Sequence, residues 1–331
     1  MLTWPHAHGD WAANLEAVER VYLDLAQAIC SRELLLVTCY DLDHQKHVQQ
    51  LLSTAGIPQS QIRFARQASN DSWARDHGPI TITESGQPRL LDFLFNGWGG
   101  KYPHDLDNRI TAGLKAAGIF GTTPMETLEL VLEGGSIDSD GEATLLTTRA
   151  CLGHPGRNPQ FSMAGIEQQL KELLGVERIL WLEHGALAGD DTDSHIDMLA
   201  RFCDPQTIAH STCTDPGDEH FVELSAMQQE LAAMSRPDGQ TYDLVALPIP
   251  QAIYNQEGQR LPASYANFLI INGAVLVPQY GDAADAVALE RLTACFPTRE
   301  VIGIDCRAVI EQFGSLHCLT MQLPEGVLNT T

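Results

Sequence analysis

Residues 268–277 read FLIINGAVLV, two short apolar runs on either side of Asn272-Gly273. An Asn-Gly pair between β-forming runs is typical of a tight hairpin turn, because both residues tolerate positive φ. An amphipathic segment at 283–295 then predicts a helix, and a β-forming run follows at 300–304. This part of the chain is therefore predicted to be a strand-rich unit with one helix.

Similar units recur along the chain. Five amphipathic segments begin about 60 residues apart. They are 42–55, 105–117, 163–174, 221–234 and 283–295. A β-forming run follows most of them, at 62–66, 176–181, 243–247 and 300–304, and a further run lies at 89–95. The near-constant interval predicts an α/β fold with radial or solenoid assembly of repeated units.

A further helix is predicted over 11–29, before the first repeated unit. No segment rich in Gly, Pro or Ser divides the sequence, so residues 1–331 are predicted to form a single domain. The sequence contains no uninterrupted apolar run of membrane-spanning length and no secretory signal. We therefore expect a cytoplasmic protein.

The composition is acidic, with 43 Asp and Glu against 20 Lys and Arg and a net charge of −23. Such a field repels nucleic acid and anionic lipid and attracts small cations, although solubility alone would also explain it. The eight cysteines show no CxxC spacing, which argues against a disulfide framework and against a zinc ribbon. We expect no nucleic-acid or membrane partner.

Two polar stretches interrupt predicted strands in the first half of the sequence. The first, NDSWARDHGP at 70–79, contains Trp73 and Asp76 and ends in a Gly-Pro breaker. An Asp beside an Arg there is explained equally by a local ion pair. In the second, LEGGS at 132–136, Glu133 precedes two glycines that permit close backbone approach, or simply form a turn.

A third stretch, DDTDSHID at 190–197, runs into an apolar segment that is predicted to be a strand. On a strand, His195 and Asp197 would face the same side, although a histidine bonded to its neighbouring carboxylate explains them as well. With Glu133 they could be metal ligands. No second histidine stands at ligand spacing and no HExxH motif occurs, so no metal and no cofactor is predicted.

Asn267 and Cys318 are the remaining candidates. Asn267 is polar at the edge of an apolar run. Cys318 lies in FGSLHCLT at 313–320, which is predicted to be a last strand, and alternation would place His317 on the opposite face. His317 is therefore not predicted to be a base for this sulfur. Taken alone, Cys318 is either a small core residue or a nucleophile.

Together these stretches resemble the family of agmatine deiminases and Porphyromonas-type peptidylarginine deiminases, within the guanidine-modifying pentein superfamily. The matching segments occur in the family's order. They are SNDSWARDHGP (69–79), WGGK (98–101), LEGGSID (132–138), DTDSHID (191–197), LPASYANFLIINGAVLVPQYGD (261–282) and GSLHCLTMQLP (314–324). The resemblance implies a five-bladed, pseudo-symmetric α/β propeller of repeated ββαβ units without metal or cofactor.

The resemblance also implies roles for seven residues. They are Cys318 (nucleophile), His195 (general acid and base), Glu133 (partner of His195), Asp76 and Asp197 (carboxylates that hold the guanidinium), Asn267 (catalytic in the peptidylarginine branch) and Trp73 (substrate pocket). The sequence departs from the family pattern at Phe313, where relatives carry glycine, and at Met198, where agmatine enzymes often carry Asn. These departures concern the identity of the substrate.

The activity implied by the resemblance is hydrolysis of agmatine to N-carbamoylputrescine and ammonia, through a thiouronium intermediate on Cys318. The chemistry is consistent, since a planar guanidinium suits paired carboxylates and its central carbon requires a soft thiolate. The expected partner is a small cationic guanidine, and a homo-oligomer is possible. Three alternatives stay open: a peptidylarginine deiminase, a non-catalytic guanidine or polyamine binder, and a metal hydrolase.

Overall fold

The computed structural model describes residues 1–328. Its contacts divide the chain into two compact units. The first contains Met1–Gly134 and the segment that begins at Cys318, and the second is Gly135–His317. One domain can contain several compact units, so this division does not test the number of domains. The single domain over 1–331 therefore stays a prediction.

The first unit contains two three-stranded sheets within the described residues. Its elements are β1 (Leu2–Thr3), α1 (Leu15–Cys30), β2 (Leu35–Cys39), α2 (Leu42–Thr54), β3 (Ile62–Arg66), α3 (Ala74–His77), β4 (Ile80–Glu84), β5 (Gln87–Leu94), α4 (Gly97–Gly100), α5 (Ile110–Ala116) and β6 (Met125–Val131). The sheet orders are β1-β2-β3, which is parallel throughout, and β4-β5-β6.

The second unit contains three three-stranded sheets among its residues. Its elements are β7 (Ile137–Ser139), β8 (Thr144–Thr148), α6 (Arg149–Leu152), α7 (Met163–Leu174), β9 (Arg178–Leu182), β10 (Ala200–Asp204), β11 (Thr207–Thr212), α8 (Phe221–Ala233), β12 (Asp243–Pro248), β13 (Leu269–Ile271), β14 (Ala274–Gln279), α9 (Ala284–Cys295) and β15 (Glu300–Asp305). The sheet orders are β7-β8-β9, β10-β11-β12 and β13-β14-β15.

One pattern is shared by the last four sheets in chain order. The first two strands form an antiparallel hairpin, and a helix then returns the chain so that the third strand lies parallel to the second. In the first sheet α1 lies between β1 and β2, which are parallel. Mixed sheets with one crossover helix confirm the α/β class.

The hairpin predicted at Asn272-Gly273 is confirmed. Ile271 pairs with Ala274 across the turn, and Gly273 has φ +70°. The predicted helices are also present, with two differences at their starts. The segment predicted over 105–117 begins as a 3-10 turn at Asp107–Arg109, and its α-helix starts only at Ile110. The segment predicted over 11–29 likewise begins as a 3-10 turn at Asp10–Ala13, and its α-helix starts at Leu15.

The prediction that His195 and Asp197 lie on a strand is wrong. His195 precedes a 3-10 turn at Ile196–Met198, and strand β10 starts only at Ala200. The two residues before His195 both have left-handed backbones, Asp193 with φ +67° and Ser194 with φ +70°. An extended strand cannot pass through consecutive left-handed residues, so the alternation argument does not apply here.

The predicted last strand around Cys318 is wrong as well. Residues 316–319 form a turn, and only Thr320 makes an isolated bridge, to Leu2. Phe313, at φ +68°, turns the chain just before this segment. Opposite faces of a strand therefore give no reason to exclude His317 from the functional site.

The core of the first unit includes Leu36, Leu90 and Phe120. The segment that begins at Cys318, called the return segment below, adds Met321 to this core. Burial of these apolar side chains stabilises the unit and fixes the segment that follows Cys318. Among residues 1–328, no helix combines the length and apolar character that crossing a bilayer requires.

Candidate active site

Asp76 lies in α3 of the first unit and is 5% exposed. Its Oδ2 accepts a hydrogen bond of 2.9 Å from the indole Nε1 of Trp98. Trp98 has φ +54° and ψ +50°, a left-handed conformation that is rare for a large side chain. The Asn96 side chain accepts from the Gly99 N–H at 2.9 Å and stabilises this bend. Strained backbone therefore aims the indole at the carboxylate.

Trp98 was not assigned a role from the sequence. The WGGK segment indicated a bend at this position, because glycines beside a tryptophan permit positive φ. A Cβ on Gly97 would lie 2.4 Å from the Tyr102 carbonyl oxygen, so this bend requires glycine. What the sequence could not show was the partner of the indole.

Trp73 immediately precedes α3 and is 6% exposed. Its Nε1 donates to Asp71 Oδ2 at 2.9 Å, and the other carboxylate oxygen accepts from Trp11 Nε1 at 3.0 Å. Burial raises the pKa of Asp71 to about 6, although the bonds from Ser72, Trp73 and Trp11 act in the opposite direction. One carboxyl group thus holds two indole rings, whose centroids are 5.7 Å apart.

A second buried acid supports the same loop. The Asp107 carboxyl group accepts the backbone N–H of Asn70 at 2.7 Å and that of Asp71 at 3.2 Å. Burial raises the pKa of Asp107 to about 8, and the charge of Asp71 adds to the increase. The position of Trp73 therefore depends on two acids that disfavour simultaneous ionisation.

Glu133 is fully buried and lies two residues after the end of β6. The next residue, Gly134, lies so close to α3 that a Cβ would come within 2.3 Å of the Arg75 carbonyl oxygen. Only glycine permits that approach. Glu133 is therefore brought close to α3, which contains Asp76 and directly follows Trp73.

Cys318 lies in the turn that begins the return segment and is 8% exposed. Its carbonyl oxygen accepts from the Arg75 backbone N–H at 3.1 Å, which joins the turn to α3. Three residues later Met321 exchanges backbone hydrogen bonds with Met1, at 2.8 and 3.1 Å. Within the first unit, the segments that carry Trp73, Asp76, Glu133 and Cys318 therefore adjoin at α3.

In the second unit, His195 is 1% exposed and ends a loop held by Asp190. The Asp190 carboxylate accepts from Thr192 Oγ1 at 2.6 Å and from the Ser194 N–H at 2.7 Å. Thr192 Oγ1 in turn accepts from the His195 N–H at 3.2 Å. Burial raises the pKa of Asp190, while these bonds favour its ionised form. The loop thereby fixes the backbone of His195.

Arg157 also holds this loop. Its guanidinium donates to Asp193 Oδ2 at 2.8 Å and to the Thr192 carbonyl oxygen at 2.9 Å. Thr148 Oγ1 also donates to the Ser194 carbonyl oxygen at 2.7 Å. These bonds stabilise the left-handed residues that precede His195.

Asp197 lies two residues after His195 and is fully buried. Its Oδ2 is 2.7 Å from Nδ1 of His317, and its carbonyl oxygen accepts from Asn267 Nδ2 at 3.3 Å. Asn267 Oδ1 accepts from the His317 N–H at 2.9 Å. The second unit thus joins Asp197, Asn267 and His317, which are far apart in the sequence.

His317 was missed because its exclusion rested on a strand that does not form. It is 3% exposed, and a buried imidazole next to a buried carboxylate is a common arrangement at catalytic sites. The feature of the sequence that could have indicated a functional role for His317 was its position immediately before Cys318.

The chemical content of the two units differs. The first unit contains the Cys318 thiol and two buried carboxyl groups, those of Asp76 and Glu133. The second contains the buried imidazoles of His195 and His317 and the carboxyl group of Asp197. Of the three residues considered as metal ligands, Glu133 lies in the first unit, and His195 and Asp197 lie in the second. Asp197 Oδ2 already binds His317, so metal binding through that oxygen would require it to exchange partners.

Comparison with known proteins gives consistent matches over nearly the whole chain. The profile of the Porphyromonas-type peptidyl-arginine deiminase family matches residues 1–324. A Vibrio parahaemolyticus protein, provisionally named an agmatine deiminase, is 34% identical over 98% of this chain and 93% of its own length.

Two solved structures are also similar. A Porphyromonas gingivalis protein, provisionally titled an arginine deiminase, is 51% identical with a TM-score of 0.93, covering 99% of this chain and 96% of that one. A cysteine-to-serine variant of C. jejuni agmatine deiminase, solved with substrate bound, is 38% identical with a TM-score of 0.89, covering 96% and 91%. The chain therefore belongs to the Porphyromonas-type peptidyl-arginine deiminase family of carbon–nitrogen hydrolases.

Proposed function

We propose that this protein hydrolyses the guanidino group of agmatine to give N-carbamoylputrescine and ammonia. The likeness to the C. jejuni agmatine deiminase, at 38% identity over nearly all of both chains, carries the proposal. The net charge of −23 supports it further, because agmatine is a dication and a strongly acidic protein attracts it. We expect the reaction to take place in the cytoplasm.

Asp76 and Asp197 are proposed to bind the guanidinium. Both are almost completely buried, and a desolvated carboxylate binds a planar cation more strongly than an exposed one. The bond from Trp98 to Asp76 and the pairing of His317 with Asp197 fix the orientation of each carboxylate. Trp73 and Asn267 are proposed to contribute to the pocket.

Cys318 is proposed to be the nucleophile. Its thiolate adds to the guanidinium carbon, and His195 then protonates the departing ammonia, which leaves a thiouronium on the sulfur. Neutral His195 next takes a proton from water, whose oxygen attacks the same carbon. Breaking the carbon–sulfur bond regenerates the thiolate, and loss of the remaining hydroxyl proton to solvent gives the ureido product. Glu133 is proposed to orient His195 and to stabilise its protonated form.

We also propose that the five sheets are the blades of a five-bladed α/β propeller. The ββαβ pattern shared by four of them, within residues 1–328, supports this proposal, as does the near-constant spacing of the helices.

The decisive experiment measures ammonia release from agmatine by wild type, Cys318→Ser and Cys213→Ser. Cys213 is a partly exposed free thiol in the second unit, so its variant is the matched control. We expect turnover by wild type and the control, and a loss of at least about a thousandfold in Cys318→Ser. Equal rates for Cys318→Ser and wild type would refute the assignment of the nucleophile.

A second candidate is deimination of arginine or of peptidyl arginine. The 51% identity to the Porphyromonas gingivalis protein, provisionally titled an arginine deiminase, favours it. The same assay with free arginine and with a peptide ending in arginine separates the two, because kcat/KM ranks the substrates directly. Guanidine binding without ammonia release would instead identify a non-catalytic binder, and loss of activity with a chelator would identify a metal hydrolase.

A further inference from the structure

We propose that His220 is a positioning residue that holds the segment leading to His195 in its active geometry. The inference rests on the proposed function, because it takes His195 to be the general acid and base. His220 lies outside every segment that carries the family resemblance. It acts on His195 through the backbone of residues 187–194, all within the second unit.

The direct contact is between His220 and Ala188. The Ala188 backbone N–H donates to His220 Nε2 at 2.7 Å, so this nitrogen must have a free lone pair. The other ring nitrogen, Nδ1, lies 3.0 Å from Asp218 Oδ1. A neutral ring with its proton on Nδ1 leaves Nε2 free to accept from Ala188 and places that proton near the carboxylate, whereas a protonated ring cannot accept from Ala188.

Arg260 holds Asp218 in place. Its guanidinium donates to both carboxylate oxygens of Asp218, at 3.0 and 2.8 Å, and also to Glu219 Oε1 at 3.1 Å. Two parallel bonds between an arginine and a carboxylate restrict both groups. The imidazole of His220 is therefore supported by a fixed carboxylate.

The backbone of Arg260 also lies close to the segment 187–194. Gly189, with φ +85°, lies so close that a Cβ would be 2.0 Å from the Arg260 carbonyl oxygen. The next residue, Asp190, binds Thr192 and Ser194 through its carboxylate, and Thr192 Oγ1 accepts from the His195 N–H. A continuous set of short-range bonds thus connects His220 to the backbone of His195.

This arrangement makes the position of His195 sensitive to pH. His220 is 5% exposed, and it lines a small cavity together with Leu187 and Arg260. Burial lowers the pKa of His220 and the Arg260 charge lowers it further, while Asp218 and Glu219 oppose the decrease. The neutral ring is favoured in the fold, so the contact with Ala188 is lost only as pH falls below the ordinary range of histidine.

The test compares two substitutions of His220. His220→Gln places an amide oxygen near the position of Nε2, so it keeps an acceptor for Ala188 and does not titrate. His220→Ala removes the acceptor. His184→Gln is the control, because His184 lies four residues before Ala188 and its side chain is 49% exposed. The readout is kcat and KM for agmatine between about pH 5 and about pH 8.

We expect His220→Ala to lose about tenfold in kcat near neutral pH with little change in KM, because substrate contacts are unaltered. We expect His220→Gln to keep most of its activity there and to lose less of it than wild type as pH falls. The control should follow wild type throughout. Wild-type pH profiles for both His220 variants would overturn the proposal.

Hydrogen–deuterium exchange supplies a readout that does not depend on turnover. Amides of residues 186–195 should exchange at least about tenfold faster in His220→Ala than in wild type, while β11 stays protected. Unchanged exchange in this segment would also overturn the proposal. If wild type released ammonia from no guanidine, the proposed function would fail by itself, and the exchange result would still decide whether His220 positions the segment.

Discussion

Nδ1 of His317 lies 2.7 Å from Oδ2 of Asp197, although 120 residues separate them in the sequence. Both side chains are at most 4% exposed, so water competes little for either group. A buried imidazole orients the carboxylate, and the carboxylate favours the tautomer with its proton on Nδ1. Besides its proposed contact with the substrate, Asp197 therefore also fixes the tautomer of His317.

Replacing Asp197 with Asn should lower both stability and activity. Asn cannot match the charge-assisted bond to buried His317, so we expect a loss of about 2 kcal/mol in the free energy of unfolding. Urea denaturation measures this. Glu84→Gln, at an exposed pair with Arg89, is the control and should leave stability unchanged. Equal midpoints for Asp197→Asn and wild type would show that the pair contributes nothing.

Trp98→Phe should reduce catalysis by removing the only polar atom of the Trp98 side chain. The indole bond to Asp76 Oδ2 is buried and charge-assisted, so we expect kcat/KM for agmatine to fall about tenfold or more. Trp181→Phe is the matched control, since its indole donates to the half-exposed Glu167 at 3.0 Å. A similar small effect in both variants would contradict a role for Trp98 in holding Asp76.

The substitution Gly→Ala should have opposite effects at two positions. At Gly134 the new Cβ would lie 2.3 Å from the Arg75 carbonyl oxygen, so we expect a loss of about 2 kcal/mol or more. At Gly165, in α7, the nearest side-chain atoms are 3.5 Å away, and Ala should stabilise the helix by about 0.5 kcal/mol. Thermal unfolding of the two variants measures the difference. Tolerance of Ala at Gly134 would refute the close approach.

Asp107 should make the protein less stable as pH rises. Burial and the charge of Asp71 raise the pKa of Asp107 to about 8, so its stabilising contribution is complete below the ordinary pKa of a carboxyl group and is lost as pH rises from there through about 8. Urea denaturation between about pH 6 and about pH 9 should show this decrease in wild type and a smaller one in Asp107→Asn.

Asp305→Asn is the control for that measurement. The bond from Arg307 lowers the pKa of Asp305, so this group is ionised throughout the same range. Its variant should keep the wild-type dependence on pH. An unchanged slope in Asp107→Asn would mean that Asp107 ionises normally.

Local signals in the sequence predicted much of the secondary structure. The turn at Asn272-Gly273 depends only on two adjacent residues that tolerate positive φ, and it forms as expected. The helices follow from apolar spacing within single segments. The ordered motifs also identified the family, because each motif is recognised from consecutive residues alone, without knowledge of its contacts in the folded chain.

The same local reasoning failed at 195–197 and at 316–319. Alternation assumes an extended backbone, but Asp190 and Arg157 hold the first segment in a bent conformation. In the second, the His317 N–H bonds to Asn267 instead of to a neighbouring strand. Hydrogen bonds of specific side chains, including those of the remote residues Arg157 and Asn267, decided both conformations, and periodicity contains no information about them.

The sequence by itself determined the helices, the hairpin at Asn272-Gly273 and which reactive side chains the chain contains. Only the tertiary structure decided which polar groups are paired: Trp98 with Asp76 across 22 positions, Ala188 with His220 across 32, and His317 with Asp197 across 120. The physical reason is that torsional preferences and apolar spacing act between near neighbours, whereas a buried polar group takes whichever partner the folded chain brings within hydrogen-bonding distance.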